Sequence, residues 1–215
     1  MKKNRNNKSG IRYESANKIM KKLEHEPSHV IQVYKLALQL FDQLHTLHCY
    51  CQNERDMLEA AALLHDIGYI KGTTGHHKHS LKMIVKTKLE GWDKQEKLVI
   101  GNIARYHTKS LPKSKHKKFA VLTKKNKKKV LKLAALLRLA DGLDRSHSDA
   151  IKNLNCKIGK NKIIVDIESR GDITLEMDGF KNKKDLFEKI YERKIVIGKI
   201  KDSWHIAPKH FGTSE

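Results

Sequence analysis

Residues 133–146 read LAALLRLADGLDRS. Leu and Ala fill this run at helical spacing, and Val130, Ala134 and Leu137 make an apolar stripe that Asp141 continues. A carboxylate on the core face of a helix costs several kcal/mol unless something cationic meets it. Three upstream segments repeat the pattern with imidazole. Residues 63–69 read LLHDIGY, where His65 follows Leu58, Ala61 and Ala62 at helical spacing and Asp66 adjoins it. His29 faces the same way as Val33 and Leu36, and His107 follows Ile100, Ile103 and Ala104. A chain whose helices close their apolar stripes with metal-type ligands predicts a helical bundle around a polar centre.

Outward from these segments the chain divides by pattern. Residues 1–10 are basic and polar and predict a disordered tail. From 11 to about 150 the periodicity is helical, predicting helices near 12–24, after Pro27 with Ser28 as N-cap, 54–66, 77–89, 94–107 and 127–147. The lysine-rich stretch 108–126, with Pro112, predicts a loop. Residues 151–201 change to short β-branched runs. Runs 156–158 and 163–167 predict a hairpin around Gly159-Lys160-Asn161, 173–177 a third strand, 183–193 a helix and 194–200 a fourth strand. The expected fold is mainly α, a helical domain over 11–150 followed by a small α/β (β-β-β-α-β) appendix over 151–201, with a tail over 202–215.

Composition narrows the class. The 215 residues suffice for a buried core without disulfides. No apolar run approaches the ~20 residues that a membrane span needs. The basic N-terminus lacks the apolar stretch of a secretory signal. Three cysteines, Cys49, Cys51 and Cys156, cannot all pair, so a cytoplasmic, reducing setting is expected. The formal net charge is +21. Such a surface attracts polyanions. Of the 45 basic residues 37 are Lys and 8 are Arg, which disfavours planar bidentate phosphate recognition across the surface. Between Lys109 and Lys132 stand 11 lysines and no acid, with only Phe119 as an aromatic. That segment, the basic loop 109–132, suits a phosphate chain, or a nucleic acid held by its backbone, better than stacked bases.

Imidazole and carboxylate ligands without thiolate suit one or two divalent ions: Mn, Fe, Co, Ni or Zn, or Mg where carboxylates dominate. His29, His65, Asp66 and Asp141 would hold the first. Asp66 has two oxygens and could bridge to a second ion held with His107 and one of His77 or His79. His77 aligns with Leu81, Ile84 and Val85, and His79 sits near the helix start; His76 is the least favoured of the three. Two such ions suit in-line attack on phosphorus by a metal-bound hydroxide, with Asp66 central to catalysis. Arg138 and Arg145 lie near Asp141 in helical register, and Lys78 adjoins the candidate ligands, so these three are candidates for binding substrate phosphate. Walker-type loops, G-x-G-x-x-G and a serine elbow are absent from the sequence.

His29, the doublet His65-Asp66 and Asp141 resemble the H…HD…D signature of the HD metal-dependent phosphohydrolases. The ordered segments HDIGY, GHHKHS, IARYH and LRLADGLDRS, followed by DLFEKIYERKIVIG, resemble the C-terminal region of the exopolyphosphatase / guanosine pentaphosphate phosphohydrolase (Ppx/GppA) family, over about 11–200. The resemblance implies an HD-type all-α metal-binding domain and phosphohydrolase chemistry on a nucleotide or polyphosphate-like compound. It also favours His107 and His79 as ligands. The family's actin-like N-terminal domains are not expected in this chain, and its namesake activity is therefore not expected to transfer. Two rival expectations follow. One is a non-catalytic polyphosphate- or RNA-binding module with a structural metal site. The other is a regulatory subunit that docks an actin-like domain on a separate chain. No membrane partner is expected, and a homodimer is compatible with the sequence.

Overall fold

The computed structural model describes residues 2–108 and 110–202. Helices α1 (Lys2–Leu23), α2 (Pro27–Gln43), α3 (His45–His48) and α4 (Gln52–Leu63) lead to a 3-10 turn, Ile67–Lys71. Next come α5 (His76–Lys86), α6 (Lys94–Arg105), α7 (Lys117–Ala120) and α8 (Lys124–Gly142). Strands β1 (Ile151–Ile158) and β2 (Lys162–Ser169), helices α9 (Thr174–Lys183) and α10 (Asp185–Tyr191), and strand β3 (Lys194–Asp202) complete the described chain. It is mainly helical with a small three-stranded sheet.

Helix α8 is the hub. Its residues Leu133 to Leu137, Leu139 and Ala140 are inaccessible, because α2, α4, α6, α9 and α10 surround them. A helix apolar on every side has no stable place except the middle. The stripes read from the sequence (Val30, Val33, Ala37, Leu40; Leu58, Ala61, Ala62; Ile100, Ile103, Ala104) are all buried against it. Helix α1 is fixed by Arg12, which donates to Asn53, Asp56, Glu96 and the Gly91 carbonyl and lies 3.9 Å over the Trp92 ring.

The sheet has order β1-β2-β3, with β1/β2 antiparallel and β2/β3 parallel. The outer edge of β1 does not face water. Gln32, Gln39 and Gln43, at i, i+7 and i+11 on one face of α2, hydrogen-bond to the backbone of Ile151, Leu154 and Cys156. Covering an edge this way satisfies its amides and blocks pairing with another chain.

Several elements differ from the sequence-based expectation, each for a local reason. The third strand expected at 173–177 lies in α9. Asp172 caps Thr174 through both its amide (2.9 Å) and its hydroxyl (2.6 Å). Parallel pairing of β3 with β2 also requires a crossover, and helices supply it. The appendix therefore runs β-β-α-α-β. Residues 2–10, expected as a tail, continue α1. Pro27 opens α2 and Ser28 is inside it, so Ser28 is not the N-cap. Helix α8 begins at Lys124, where Thr123 accepts from the Asn126 amide, so the expected loop is shorter and also carries α7. The tail expected beyond Asp202 lies outside the described residues.

Candidate functional site

The ends of five helices meet at one point. His29 is in the first turn of α2 and His76 opens α5. His65 and Asp66 follow α4, His107 follows α6, and Asp141 is in the last turn of α8. His29, His65, Asp66, His107 and Asp141 are all below a tenth exposed, and His76 is partly buried.

Local hydrogen bonds orient the rings. His65 Nδ1 donates to the Ala62 carbonyl (2.7 Å), His107 Nδ1 to the Ala104 carbonyl (2.6 Å) and His76 Nδ1 to the Thr73 carbonyl (3.1 Å). Each ring reaches back three residues to a carbonyl near a helix end, and at α6 the Ala104 carbonyl also takes the backbone amide of His107. His29 Nδ1 instead bonds Asp144 Oδ2 at 2.8 Å, a carboxylate with no solvent exposure that also accepts from the Asp149 amide. Carbonyl oxygens cannot donate, so Nδ1 carries the proton and a neutral ring offers a bare Nε2 lone pair.

Those Nε2 atoms face oxygens that are also acceptors. Asp66 Oδ2 lies 3.3 Å from His65 Nε2 and 3.9 Å from His29 Nε2. Asp66 Oδ1 lies 3.3 Å from His107 Nε2 and 3.5 Å from His76 Nε2. Asp141 Oδ1 lies 3.5 Å from His29 Nε2 and 4.0 Å from His65 Nε2. His76 and His107 bring their Nε2 atoms within 3.2 Å of each other. His65 Nε2 and Asp66 Oδ1 are buried with no hydrogen-bond partner. Burial pushes His107 well below the usual imidazole range, against the pull of Asp66. Burial would raise the Asp66 carboxyl, but the charge that His65, His107 and His76 bring when protonated outweighs it and holds Asp66 well below the usual carboxylate range. A charged carboxylate beside a neutral imidazole, with lone pairs converging, lacks positive charge at its centre. Two ligand groups share Asp66 and could each hold a metal ion: His29, His65 and Asp66, and Asp66, His76 and His107. The nitrogen and oxygen donors fit a divalent ion without thiolate.

Five of the expected ligands, His29, His65, Asp66, His107 and Asp141, come together. His77 and His79 do not join them, and His76 occupies the place expected for one of them. The 3-10 turn packs on the His76/Ser80 face of α5, where a Cβ on Gly68 would stand 2.1 Å from the His76 carbonyl oxygen. The apolar Leu81/Ile84 face, with which His77 aligns, packs elsewhere. Burial lowers His77 to about 4, helped by His76, Lys78, Arg105 and His79. Arg138 is likewise displaced from its expected role. It is 1% exposed and turned toward the appendix, donating to the Lys183 carbonyl and pairing with Asp185. Lys78 and Arg145 are exposed. The Tyr69 phenol is raised by burial, by Asp66 and by Glu26 and eased back by the charge of Arg145, and Tyr69 stacks on His76 at 4.1 Å.

Sequence reasoning missed three further residues. Asp144 stands three residues after Asp141, a spacing that could have flagged it. His147 stacks on His29 at 3.9 Å and bonds Glu26. Lys183 pairs with Asp141 Oδ2 across 42 residues and carries no local signal. The cysteines are unpaired, and burial raises the Cys156 thiol to about 12. Among the described residues no helix is long and apolar enough to cross a membrane.

The family model for Ppx/GppA phosphatase, domain III, matches residues 11–188. The match covers more than half of the chain, which therefore belongs to that family.

Proposed function

From this phosphatase-related membership we propose that the chain is an HD-type, metal-dependent phosphohydrolase acting on a phosphoester or phosphoanhydride, with a nucleotide or polyphosphate-like substrate. One observation carries the reading: buried imidazole Nε2 atoms and carboxylate oxygens converge, and His65 Nε2 and Asp66 Oδ1 have no partner. His29, His65, Asp66 and Asp141 would hold one ion, and Asp66, His76 and His107 a second. Divalent ions supply Lewis acidity toward phosphoryl oxygen and an acidified water at neutral pH. Asp66, with two carboxylate oxygens, would serve both groups. The four imidazoles keep their protons at Nδ1 and so present nitrogen lone pairs without reorganisation. Asp144 orients His29, and Arg145 and Lys78 offer positive charge to an arriving phosphate at the exposed rim. The test is turnover of a phosphoester and phosphoanhydride panel by Mn²⁺-loaded protein, with Asp66→Asn as control. Hydrolysis lost in the variant supports the reading; inactivity of the wild type on every compound, or equal rates in both, overturns it.

A second reading has its own observation. Within 109–132, Lys113, Lys115, Lys117, Lys118, Lys124, Lys125 and Lys128 are exposed. This face suits a polyanion, as substrate tether or as sole function. Polyphosphate binding that persists in chelator without turnover favours the binding module.

A further inference from the structure

His76 is held differently from the other imidazoles that face Asp66. His65 and His107 donate to the carbonyls of Ala62 and Ala104, residues with no solvent exposure, at 2.7 and 2.6 Å. His76 donates to the carbonyl of Thr73, an exposed residue, at 3.1 Å. Its side chain is 15% exposed, against 0% for His65 and 4% for His107. Water competes for such a carbonyl, so this bond alone fixes the ring weakly.

The second hold on His76 is a ring. Tyr69 stacks on it with centroids 4.1 Å apart and planes 8° from parallel. Tyr69 belongs to the 3-10 turn that begins at the residue after Asp66, and its amide donates to the Asp66 carbonyl at 2.9 Å. One short turn therefore follows the shared carboxylate and carries the ring that lies on His76. The turn is pinned to α5 without help from the Tyr69 side chain. The Gly68 amide donates to Ser80 Oγ at 3.0 Å, and that hydroxyl donates to the His76 carbonyl at 3.2 Å. Tyr69 is itself 38% exposed, so removing its ring takes little from the core.

We infer that Tyr69 is a positioning residue: stacked on His76, it keeps Nε2 of that ring turned toward Asp66 Oδ1 and His107 Nε2, and so sets the affinity of the second metal ion. The inference rests on the reading under Proposed function. Stacking restricts rotation of the imidazole about its bond to Cβ, and a ligand already turned to its metal loses less freedom on binding. His29 and His65 of the first group are held by Asp144 and the Ala62 carbonyl instead, so the first ion is not expected to respond to Tyr69.

The test is Mn²⁺ binding to the full chain, followed by calorimetry and by the electron paramagnetic resonance signal of exchange-coupled ions, which only a doubly loaded centre gives. Tyr69→Ala and Tyr69→Leu both remove the ring and are both read, in case one folds poorly; Tyr69→Phe keeps it. The ring-less variants are expected to bind the first ion as the wild type does and the second about tenfold more weakly, the scale of losing an orienting neighbour. The coupled signal then appears only at higher Mn²⁺. Tyr69→Phe is expected to match the wild type. Wild-type affinity for the second ion in both ring-less variants, or equal weakening in Tyr69→Phe, overturns the role of Tyr69 and leaves the hydrolase reading standing. A wild type that takes up a single ion overturns the second site and the inference with it; one that takes up none overturns the hydrolase reading as well.

Discussion

Three imidazoles of the centre, His65, His76 and His107, each bind a carbonyl three residues back, so the local chain, not distant packing, decides which nitrogen is offered. His29 is the exception, since its Nδ1 depends on Asp144 across 115 residues. Asp144→Asn is expected to lower metal affinity by about 10- to 100-fold, as loss of an orienting carboxylate does, with little change in secondary structure. Calorimetric titration with Mn²⁺ checks it, and wild-type affinity would contradict the role. Asp66→Asn is expected to abolish binding of the second ion and to cut turnover at least a hundredfold, measured on the best substrate of the panel. At this scale much of the candidate site was legible. His65, His107 and Asp141 end apolar stripes and His29 opens one, so helical spacing turns them inward, while Asp66 comes as the neighbour of His65. His76 was passed over because apolar alignment favours His77. What decides is the face of α5 on which a glycine lets the 3-10 turn press. Lys183 and the outward turn of Arg138 were illegible, since both depend on where α9 and α10 dock.

Among the elements, the α8–α9 contact joins the last turn of α8, which carries Asp141, to the appendix. Gly179→Ala would drive a methyl group into the Gly142 carbonyl and push α9 outward. A cost of about 1–3 kcal/mol is expected from overpacking, read as a lower urea midpoint. An unchanged midpoint would contradict the close approach. Most helices were readable from period 3.6, since their stripes pack directly on α8. The segment 173–177 misleads because Ile173, Leu175 and Met177 alternate with Thr174 and Glu176 over too short a span. Only the parallel pairing of β3, formed across more than thirty residues, requires a crossover there. Terminal boundaries shifted where a single capping side chain (Thr123 or Asp172) outweighed the periodic signal.

For the whole molecule, charge and buried histidine make stability and binding depend on the medium. Polyphosphate binding through the lysine-rich face is expected to fall steeply between about 50 and 200 mM salt, as counterion release predicts. A flat response in a salt titration would assign the charge to solubility alone. His48 supplies a pH dependence. It is 4% exposed, donates from Nε2 to the Phe41 carbonyl (2.8 Å) and accepts the Tyr50 amide at Nδ1 (3.0 Å). Burial lowers it; the Phe41 carbonyl opposes this, His45 and Lys132 reinforce it, and Asp42 opposes it. A histidine lowered on folding binds more protons unfolded, so its contribution is present above the unfolded value, near 6.5, and is lost as pH falls toward the folded one. Unfolding free energy is expected to decline below about pH 6.5 with a slope of up to ~1.4 kcal/mol per pH unit from this group. Urea denaturation at a series of pH values checks it, with His48→Gln expected to show a shallower slope. An equal slope would contradict the assignment.

Metal content is the most direct test of the centre itself. Wild-type protein loaded with Mn²⁺ and freed of excess is predicted to retain two ions per chain, one for each ligand group that shares Asp66. Retention of none, with the fold intact by circular dichroism, would contradict the claim that these imidazoles and carboxylates exist to hold divalent ions.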